Sequence, residues 1–310
     1  MKALVARAYG PVEDLEITDV PKPAPGPGQL LVRTEAAALN AVDLVLVTGA
    51  MKEAFAIEHP FVPGVDVSGV VEAVGEGVTR FAVGDRVIAW NGIPSGALAE
   101  YVLVQAAPSA ALRPTALDAA LGAALPTAAL TAAALVDAAK VQPGDAVLVV
   151  GASGGVGSFT VQLAKAAGAR VLATGRADEH DYLRRLGADA AVDYRGADVT
   201  QAALDWSPGG TDVVIDLVHA GPALASSADA TKPGGRVVSP LGGPEAFDRG
   251  VTAVYTGTRT PEGLLDDLAA RAADGQLQVE ISATYPFADA PRALTDYAAK
   301  HLRGKVVITF

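Results

Sequence analysis

A run of small residues from Gly151 to Gly157 is suited to holding a phosphate against the protein backbone. It follows the apolar stretch Ala146–Val150 and precedes an amphipathic segment, which is the order of a strand, a tight turn and a helix start. Amides at a helix N-terminus attract anions. The glycine fingerprint is imperfect because Ala152 stands at its first position. The run predicts a dinucleotide-binding turn, and the alternative is a purely structural turn.

Within this turn, the predicted contacts to a bound pyrophosphate are Ser153, Gly154, Gly155 and Val156. The backbone amides of Gly155 and Val156 lie at the expected helix start and would face the pyrophosphate. Gly157 would allow the helix to pack closely on the preceding strand.

A second predicted strand ends at Gly175-Arg176, about 20 residues after the turn, where NAD-binding chains usually carry an acid. A carboxylate there accepts ribose hydroxyls, whereas a guanidinium offers paired donors to a 2′-phosphate. Tyr194, after the next strand, could stack on or bond near the same phosphate. The pattern predicts NADPH as cofactor. The predicted contacts are Thr174, Gly175, Arg176 and Tyr194, and the alternative for Arg176 is an ordinary solvated arginine.

The chain of 310 residues, half of them apolar, is long enough for two domains. Residues 1–110 show short strand-like runs broken by Pro and Gly, whereas helix and strand patterns alternate from about residue 118. Alternation of this kind indicates parallel βαβ units. The prediction is a doubly wound α/β domain over 118–256 and a mainly β substrate domain over 1–117 and 257–310.

The predicted parallel sheet has six strands, at 147–151, 170–174, 190–193, 212–216, 235–239 and 251–255. Helices are predicted at 118–138 with a break at Pro126, and at 155–167, 178–186 and 221–230. The last strand would form an exposed edge of this sheet. Pairing it across a two-fold axis would cover that edge, so a homodimer is predicted.

Composition excludes several classes of partner and site. A formal net charge of −11 leaves no basic surface for nucleic acid. The absence of cysteine excludes disulfides, thiolate nucleophiles and cysteine metal sites. The N-terminus lacks a signal-peptide pattern, and the alanine-rich stretch Ala116–Ala139 contains charges and a proline, which make it a poor membrane span. A cytoplasmic protein without a membrane or nucleic-acid partner is expected.

Several short motifs, in this order, resemble the zinc-independent members of the medium-chain dehydrogenase/reductase superfamily, in the NADPH:quinone oxidoreductase branch. Besides the glycine turn they are Met1–Ala3, Leu39–Asp43, Pro63–Gly69, Val83–Val87, Leu130–Ala132 and Gly304–Val307. The resemblance covers nearly the whole chain. It implies a Rossmann cofactor domain and a GroES-like substrate domain.

The same resemblance bears on metal use. Zinc-dependent relatives carry a Cys near the position of Asn40, a His-Glu pair where Val65-Asp66 stands, and a four-cysteine lobe after the region of Trp90. This chain has no Cys, Val65 cannot bind a metal, and the segment 90–101 is too short for the lobe. The expected chemistry is metal-free hydride transfer from NADPH to a quinone or an α,β-unsaturated carbonyl compound.

The resemblance also places Asn40 and Asp43 beside the nicotinamide in an interdomain cleft, as catalytic candidates. Asn40 would donate a hydrogen bond to a carbonyl gaining negative charge. The alternative is a helix N-cap with its first-turn acid. Further predicted cofactor contacts are Asn40, Thr131, Val218, Leu241 and Arg303. Arg303 would reach the adenosine 2′-phosphate, and the alternative is a cation that favours the C-terminus of a helix. His219, after a predicted strand, is a candidate ribose contact or a solvent-facing loop residue.

Two other functions remain open from the sequence. An enoyl-thioester reductase of the polyketide or fatty-acid type would have the same fold. A non-catalytic NADPH-binding protein would keep the nucleotide site alone.

Overall fold

The computed structural model describes residues 1–93 and 96–310. The segment 90–101, expected to be too short for a cysteine lobe, contains residues 94 and 95, which lie outside the described residues. The chain divides into unit 1, residues 1–127 with 260–310, and unit 2, residues 128–259. Unit 1 extends past the predicted limit at residue 117, because Ala123 and Ala124 are buried in a cluster with Ala36 and Ala38 of the same unit.

The elements of the first part of the chain are β1 (Lys2–Val5), β2 (Glu16–Asp19), β3 (Gln29–Ala38), α1 (Ala41–Thr48), β4 (Asp66–Val74), β5 (Arg86–Trp90), β6 (Tyr101–Gln105), β7 (Ala110–Leu112), α2 (Ala119–Ala123) and α3 (Pro126–Ala139). The middle part holds β8 (Ala146–Val150), α4 (Gly155–Ala166), β9 (Arg170–Gly175), α5 (His180–Arg185), β10 (Ala190–Asp193), α6 (Val199–Trp206), β11 (Thr211–Asp216), α7 (Ala225–Ala230), β12 (Thr231–Ser239) and β13 (Thr252–Tyr255). The last part holds α8 (Leu264–Ala273), β14 (Ile281–Pro286), α9 (Ala290–Ala299) and β15 (Lys305–Thr309).

Unit 1 is built on a mixed sheet in the order β14-β15-β3-β4-β5-β7, with β6 also paired to β3. Only the β14–β15 pair among these described strands is parallel. Alternate residues of the long central strands enter the core, as Leu30 and Val32 do on β3, where they are fully buried. The first residues of β4 and β15 therefore lie on strands that a hydrophobic core holds in place.

Unit 2 contains a parallel sheet whose described strands run in the order β10-β9-β8-β11-β12-β13. This confirms the predicted doubly wound sheet. The apolar strand Ala146–Val150 is buried along its whole length, as expected where helices cover both faces. Because the strands are parallel, their carboxyl ends meet at one edge, so the segments that follow them lie close together.

Most predicted elements of unit 2 are confirmed within one or two residues, but two helices begin later than expected and β12 begins at Thr231, four residues earlier than predicted. Residues 177–179 and 221–224 form 3-10 turns that lead into α5 and α7. Helix α6 was not predicted, since it opens with β-branched Val199 and Thr200, which favour helices weakly. Its start is fixed locally, because the Asp198 carboxylate accepts a hydrogen bond of 3.0 Å from the amide of Gln201.

Strand β13 forms one edge of the parallel sheet, where the predicted dimer contact would lie. The homodimer stays a prediction, as does the cytoplasmic location. No helix within the described residues combines the length and apolar character needed to cross a bilayer.

The glycine turn generates a stability prediction. A Cβ atom at Gly157 would lie 2.1 Å from the carbonyl oxygen of Gly151, whereas one at Gly154 would lie 3.5 Å from it, an ordinary contact. Gly157→Ala should lower the free energy of unfolding of unit 2 by about 3 kcal/mol, since backbone must move. Gly154→Ala should lower it by less, about 1 kcal/mol, because alanine is a poor N-cap residue.

The two tryptophans make this measurable, because Trp90 belongs to unit 1 and Trp206 to unit 2. In a Trp90→Phe background, urea unfolding followed by Trp206 fluorescence reports on unit 2. Equal midpoints for the two alanine variants would show that α4 has room at Gly157.

Candidate functional site

The glycine turn joins β8 to α4 at the carboxyl edge of the parallel sheet. Gly151 adopts a positive φ of 81°, a backbone conformation that favours glycine. Its amide donates a 2.9 Å hydrogen bond to Oγ1 of Thr174 at the end of β9. Gly154 is the N-cap residue, and the amides of the first turn, including those of Gly155 and Val156, have no acceptor within the helix. The turn thus presents a helix N-terminus at this edge.

The ends of β9 and β10 bring Arg176 and Tyr194 together. Nε of Arg176 donates to the hydroxyl of Tyr194 over 3.4 Å, and both side chains reach the surface. Two acids follow β9: Asp178 is exposed, whereas Glu179 is buried and accepts a 2.8 Å bond from the backbone amide of Arg176. A Cβ atom at Gly175 would lie 2.7 Å from Cδ1 of Leu183, so a larger residue there would require that side chain to move. The charged side chain directly after the strand is thus the guanidinium of Arg176, and the exposed Asp178 follows two residues later.

The other predicted cofactor contacts in unit 2 differ in exposure. Val218 and Leu241, after β11 and β12, are 56% and 50% exposed, which is unusual for large apolar side chains. Ser153 is buried, and Thr131 shares a 2.7 Å hydrogen bond with Thr258. Two apolar side chains at the carboxyl edge are thus left uncovered by unit 2.

Unit 1 contains the two catalytic candidates in a buried helix cap. Asn40 is the N-cap residue of α1, and its backbone amide donates a 2.8 Å hydrogen bond to Oδ2 of Asp43. Oδ1 of Asp43 accepts a 3.0 Å bond from the amide of Gly64. Nδ2 of Asn40 donates to Ala38 O at 3.1 Å and to Asp66 Oδ2 at 2.9 Å. Both amide hydrogens of the asparagine are therefore used within unit 1.

A buried ion pair continues this network. Nζ of Lys305, the first residue of β15, lies 3.4 Å from Oδ2 of Asp66 and also donates to Oδ1 of Asn40. The other oxygen of Asp66 accepts from the amide and the hydroxyl of Thr127, at 2.9 and 2.6 Å. Buried charges are tolerated when each has several such partners.

Burial changes the proton affinity of this cluster. Desolvation raises the pKa of Asp43 from 3.8 to about 7; Asp66 adds to the rise, while the amides of Asn40 and Gly64 oppose it. Desolvation lowers the pKa of Lys305, against the attraction of Asp66 and Asp43. Asp43 is therefore a group that titrates near neutral pH inside unit 1.

Arg303, predicted to reach the adenosine phosphate, forms an ion pair with Glu280 within unit 1. Its phosphate contact stays a prediction, as do the catalytic roles of Asn40 and Asp43.

Sequence reasoning missed Lys305 and Asp66 as members of a polar network, although both lie in motifs quoted above. A lysine at the start of the apolar run Val306–Ile308 was the available signal, because a charge in such a run is usually buried with a partner.

Two family descriptions match the chain. Residues 26–113 match the alcohol dehydrogenase GroES-like domain, and residues 186–308 match the zinc-binding dehydrogenase family. A quinone oxidoreductase of Triphysaria versicolor is 31% identical over 99% of this chain and 98% of its own. The chain belongs to the medium-chain dehydrogenase/reductase superfamily, in its quinone oxidoreductase-like branch.

Two other relatives match this chain over a shorter stretch or as part of a much longer protein. A quinone oxidoreductase homolog of Spinacia oleracea is 39% identical over 64% of each chain. A mycocerosic acid synthase-like polyketide synthase of Mycobacterium tuberculosis is 32% identical over 98% of this chain, which spans only 15% of that protein.

Solved structures of this superfamily cover the whole chain. The quinone oxidoreductase of Coxiella burnetii has a TM-score of 0.89 at 29% identity, covering 100% of this chain and 99% of its own. An NAD-dependent alcohol dehydrogenase has a TM-score of 0.90 at 32% identity, and a mycobacterial protein complexed with NADPH one of 0.85 at 29%; both cover 100% of each chain. The fold is thus shared by proteins described with either cofactor.

The buried carboxyl of Asp43 predicts a pH dependence of stability. In the unfolded chain it ionises near 3.8, but in the folded protein only near 7, so its contribution falls as pH rises between these values. Asparagine does not titrate. The free energy of unfolding of the wild type minus that of Asp43→Asn should therefore decrease as the pH rises from about 4.5 to about 7.5.

Urea unfolding monitored by Trp90, in a Trp206→Phe background, measures this difference for unit 1. A difference that is constant with pH would mean that Asp43 keeps its ordinary pKa in the folded protein.

Proposed function

We propose that this protein is a metal-free oxidoreductase that transfers hydride from NADPH to a quinone or an α,β-unsaturated carbonyl compound. The observation that carries the choice of cofactor is the pair of Arg176 and Tyr194 at the end of β9 and β10. The glycine turn lies at the same edge of the same sheet, as expected for a dinucleotide site.

The residues present fit such a cofactor. No side chain caps the N-terminus of α4, so its backbone amides can bind the pyrophosphate. Gly154 and Gly155 have no side chains that would keep the pyrophosphate away from the backbone. The guanidinium of Arg176 can donate to a 2′-phosphate through two N–H groups. Of the two acids that follow Arg176, Glu179 is buried and bonded to the amide of Arg176, whereas Asp178 is exposed. The guanidinium directly after β9 supports NADPH rather than NADH.

The proposal of metal-free chemistry rests on residue types. The chain has no cysteine, and Val65 stands where the zinc-dependent relatives are expected to carry histidine. Without a Lewis acid an alcohol is hard to oxidise, whereas quinones and conjugated carbonyls accept hydride readily. Relatives named as quinone oxidoreductases agree with this class of acceptor.

When bound, NADPH supplies the hydride. The residues of unit 1 contribute by holding the start of α1 in place. Asn40 holds the start of α1 to Asp66 and Lys305, and both of its amide hydrogens are engaged. Donation from Asn40 to an acceptor carbonyl would require one of these bonds to break, so we assign the network a positioning role.

A second candidate is an enoyl-thioester reductase. It is favoured by one observation, the similarity over 98% of this chain to part of a polyketide synthase. The two candidates share cofactor and hydride chemistry and differ in the acceptor.

Removing Arg176 tests the choice of cofactor. Arg176→Ala should raise the dissociation constant of NADPH about 10- to 100-fold, because charge-assisted bonds to a phosphate are lost, and change that of NADH less than about twofold. Arg184→Ala is the matched control, since Arg184 is exposed on α5 and pairs with Asp181. Titration of cofactor fluorescence gives both constants. Equal weakening of NADPH and NADH would place Arg176 away from the phosphate.

An acceptor screen tests the reaction. The loss of NADPH absorbance should be rapid with 1,4-benzoquinone and with a simple enone, and unchanged after incubation with a chelator. A loss of rate with the chelator would contradict metal-free chemistry. Fastest turnover of crotonyl thioester would favour the second candidate, and tight NADPH binding without any turnover would favour a non-catalytic protein.

A further inference from the structure

A buried aspartate at the end of β11 gathers four hydrogen bonds. Oδ1 of Asp216 accepts from the backbone amides of Val218 and His219, both at 2.9 Å. Oδ2 lies 2.9 Å from Nδ1 of His219 and accepts from the hydroxyl of Ser227. Asp216 is completely buried. A carboxylate with this many donors fixes the loop that follows the strand.

The same contacts fix the imidazole. Because the carboxylate oxygen is an acceptor, Nδ1 of His219 carries the proton and donates to it. Nε2 then faces away from Asp216, and no hydrogen bond from the described residues reaches it. The His219 side chain is 40% exposed although its partner is 0% exposed. The ring is thus oriented by Asp216, and its Nε2 is available to a ligand.

The loop that follows β11 lies beside the glycine turn. β11 pairs with β8, and a Cβ atom on Gly151 would lie 2.7 Å from the side chain of Val218. The chain runs from β8 outward to β9 and β10 and then returns to the other side of β8 at β11. In doubly wound sheets, ligands bind outside the carboxyl ends of the strands at such a reversal.

The order of the strands also orients a bound dinucleotide. The turn after β8 would hold the diphosphate, and Arg176 after β9 would hold the 2′-phosphate of the adenosine half. The remaining half must then extend to the opposite side of β8, where β11 ends.

We propose that His219 is a cofactor-binding residue whose Nε2 accepts a hydrogen bond from a hydroxyl of the nicotinamide-side ribose. Asp216 is its positioning residue. This inference rests on the proposed function, because it assumes a dinucleotide on the glycine turn.

Two substitutions separate the free nitrogen from the rest of the ring. His219→Asn places an amide near the position of Nδ1 and keeps the bond to Asp216, but it removes Nε2. His219→Gln places an acceptor near the position of Nε2 instead. The ligands to titrate are NADPH and adenosine 2′,5′-bisphosphate, which lacks the nicotinamide half. Both titrations use the full-length protein.

His219→Asn should raise the dissociation constant of NADPH about five- to twentyfold, as expected for one lost hydrogen bond. The constant for the bisphosphate should change less than about twofold, and His219→Gln should restore most of the NADPH affinity. Arg176→Ala should weaken both ligands.

Three results would overturn the inference. Unchanged NADPH affinity in His219→Asn would remove the contact while leaving the proposed function intact. Equal weakening of both ligands would mean that His219 only supports the loop. If the wild-type protein binds neither ligand, the proposed function itself fails.

Discussion

Helix α4 begins directly against the carbonyl oxygen of Gly151, and no side chain fits between them at Gly157. This close approach sets the geometry of the carboxyl edge of unit 2. It brings a helix N-terminus level with the strand ends, and the hydroxyl of Thr174 ties the turn to the neighbouring strand. Since all strands of the sheet are parallel, the residues after β9 and β11 flank the same point. The contact therefore places the glycine turn between the segments that follow β9 and β11.

The two units bury charge in different ways. In unit 2, the carboxylate of Asp216 is satisfied by four donors, and its only ionisable partner, among the residues described, is a partly exposed imidazole. In unit 1, Asp66 and Lys305 form a fully buried pair, and neutral partners complete their hydrogen bonds. A buried pair of this kind contributes little net stability but is costly to break. Through Asn40, the pair holds the start of α1 to β4 and β15. Its main effect is therefore on the positions of these elements and not on the free energy of unfolding.

Local patterns in the sequence predicted the carboxyl edge well, because its chemistry follows strand ends in chain order. The turn at Gly151–Gly157 and the meeting of Arg176 with Tyr194 needed only the rule that parallel strands share an edge. The pairing of Lys305 with Asp66 spans 239 residues and depends on the register of β15 and β4 within a mixed sheet. No local periodicity encodes such a register. The sequence therefore predicted the motifs that carry both residues but not their contact.

The position of Glu179 after β9 shows how a shared fold can bind different cofactors. Proteins described with NADPH and with NAD have nearly the same backbone as this chain, so the backbone does not choose between them. Here two acids come two and three residues after Arg176, at Asp178 and Glu179, and the carboxylate of Glu179 caps the turn by bonding the amide of Arg176. A carboxylate used in this way is buried and cannot accept ribose hydroxyls. The turn is stabilised by a negative group facing inward, and the guanidinium of the same turn is left facing outward.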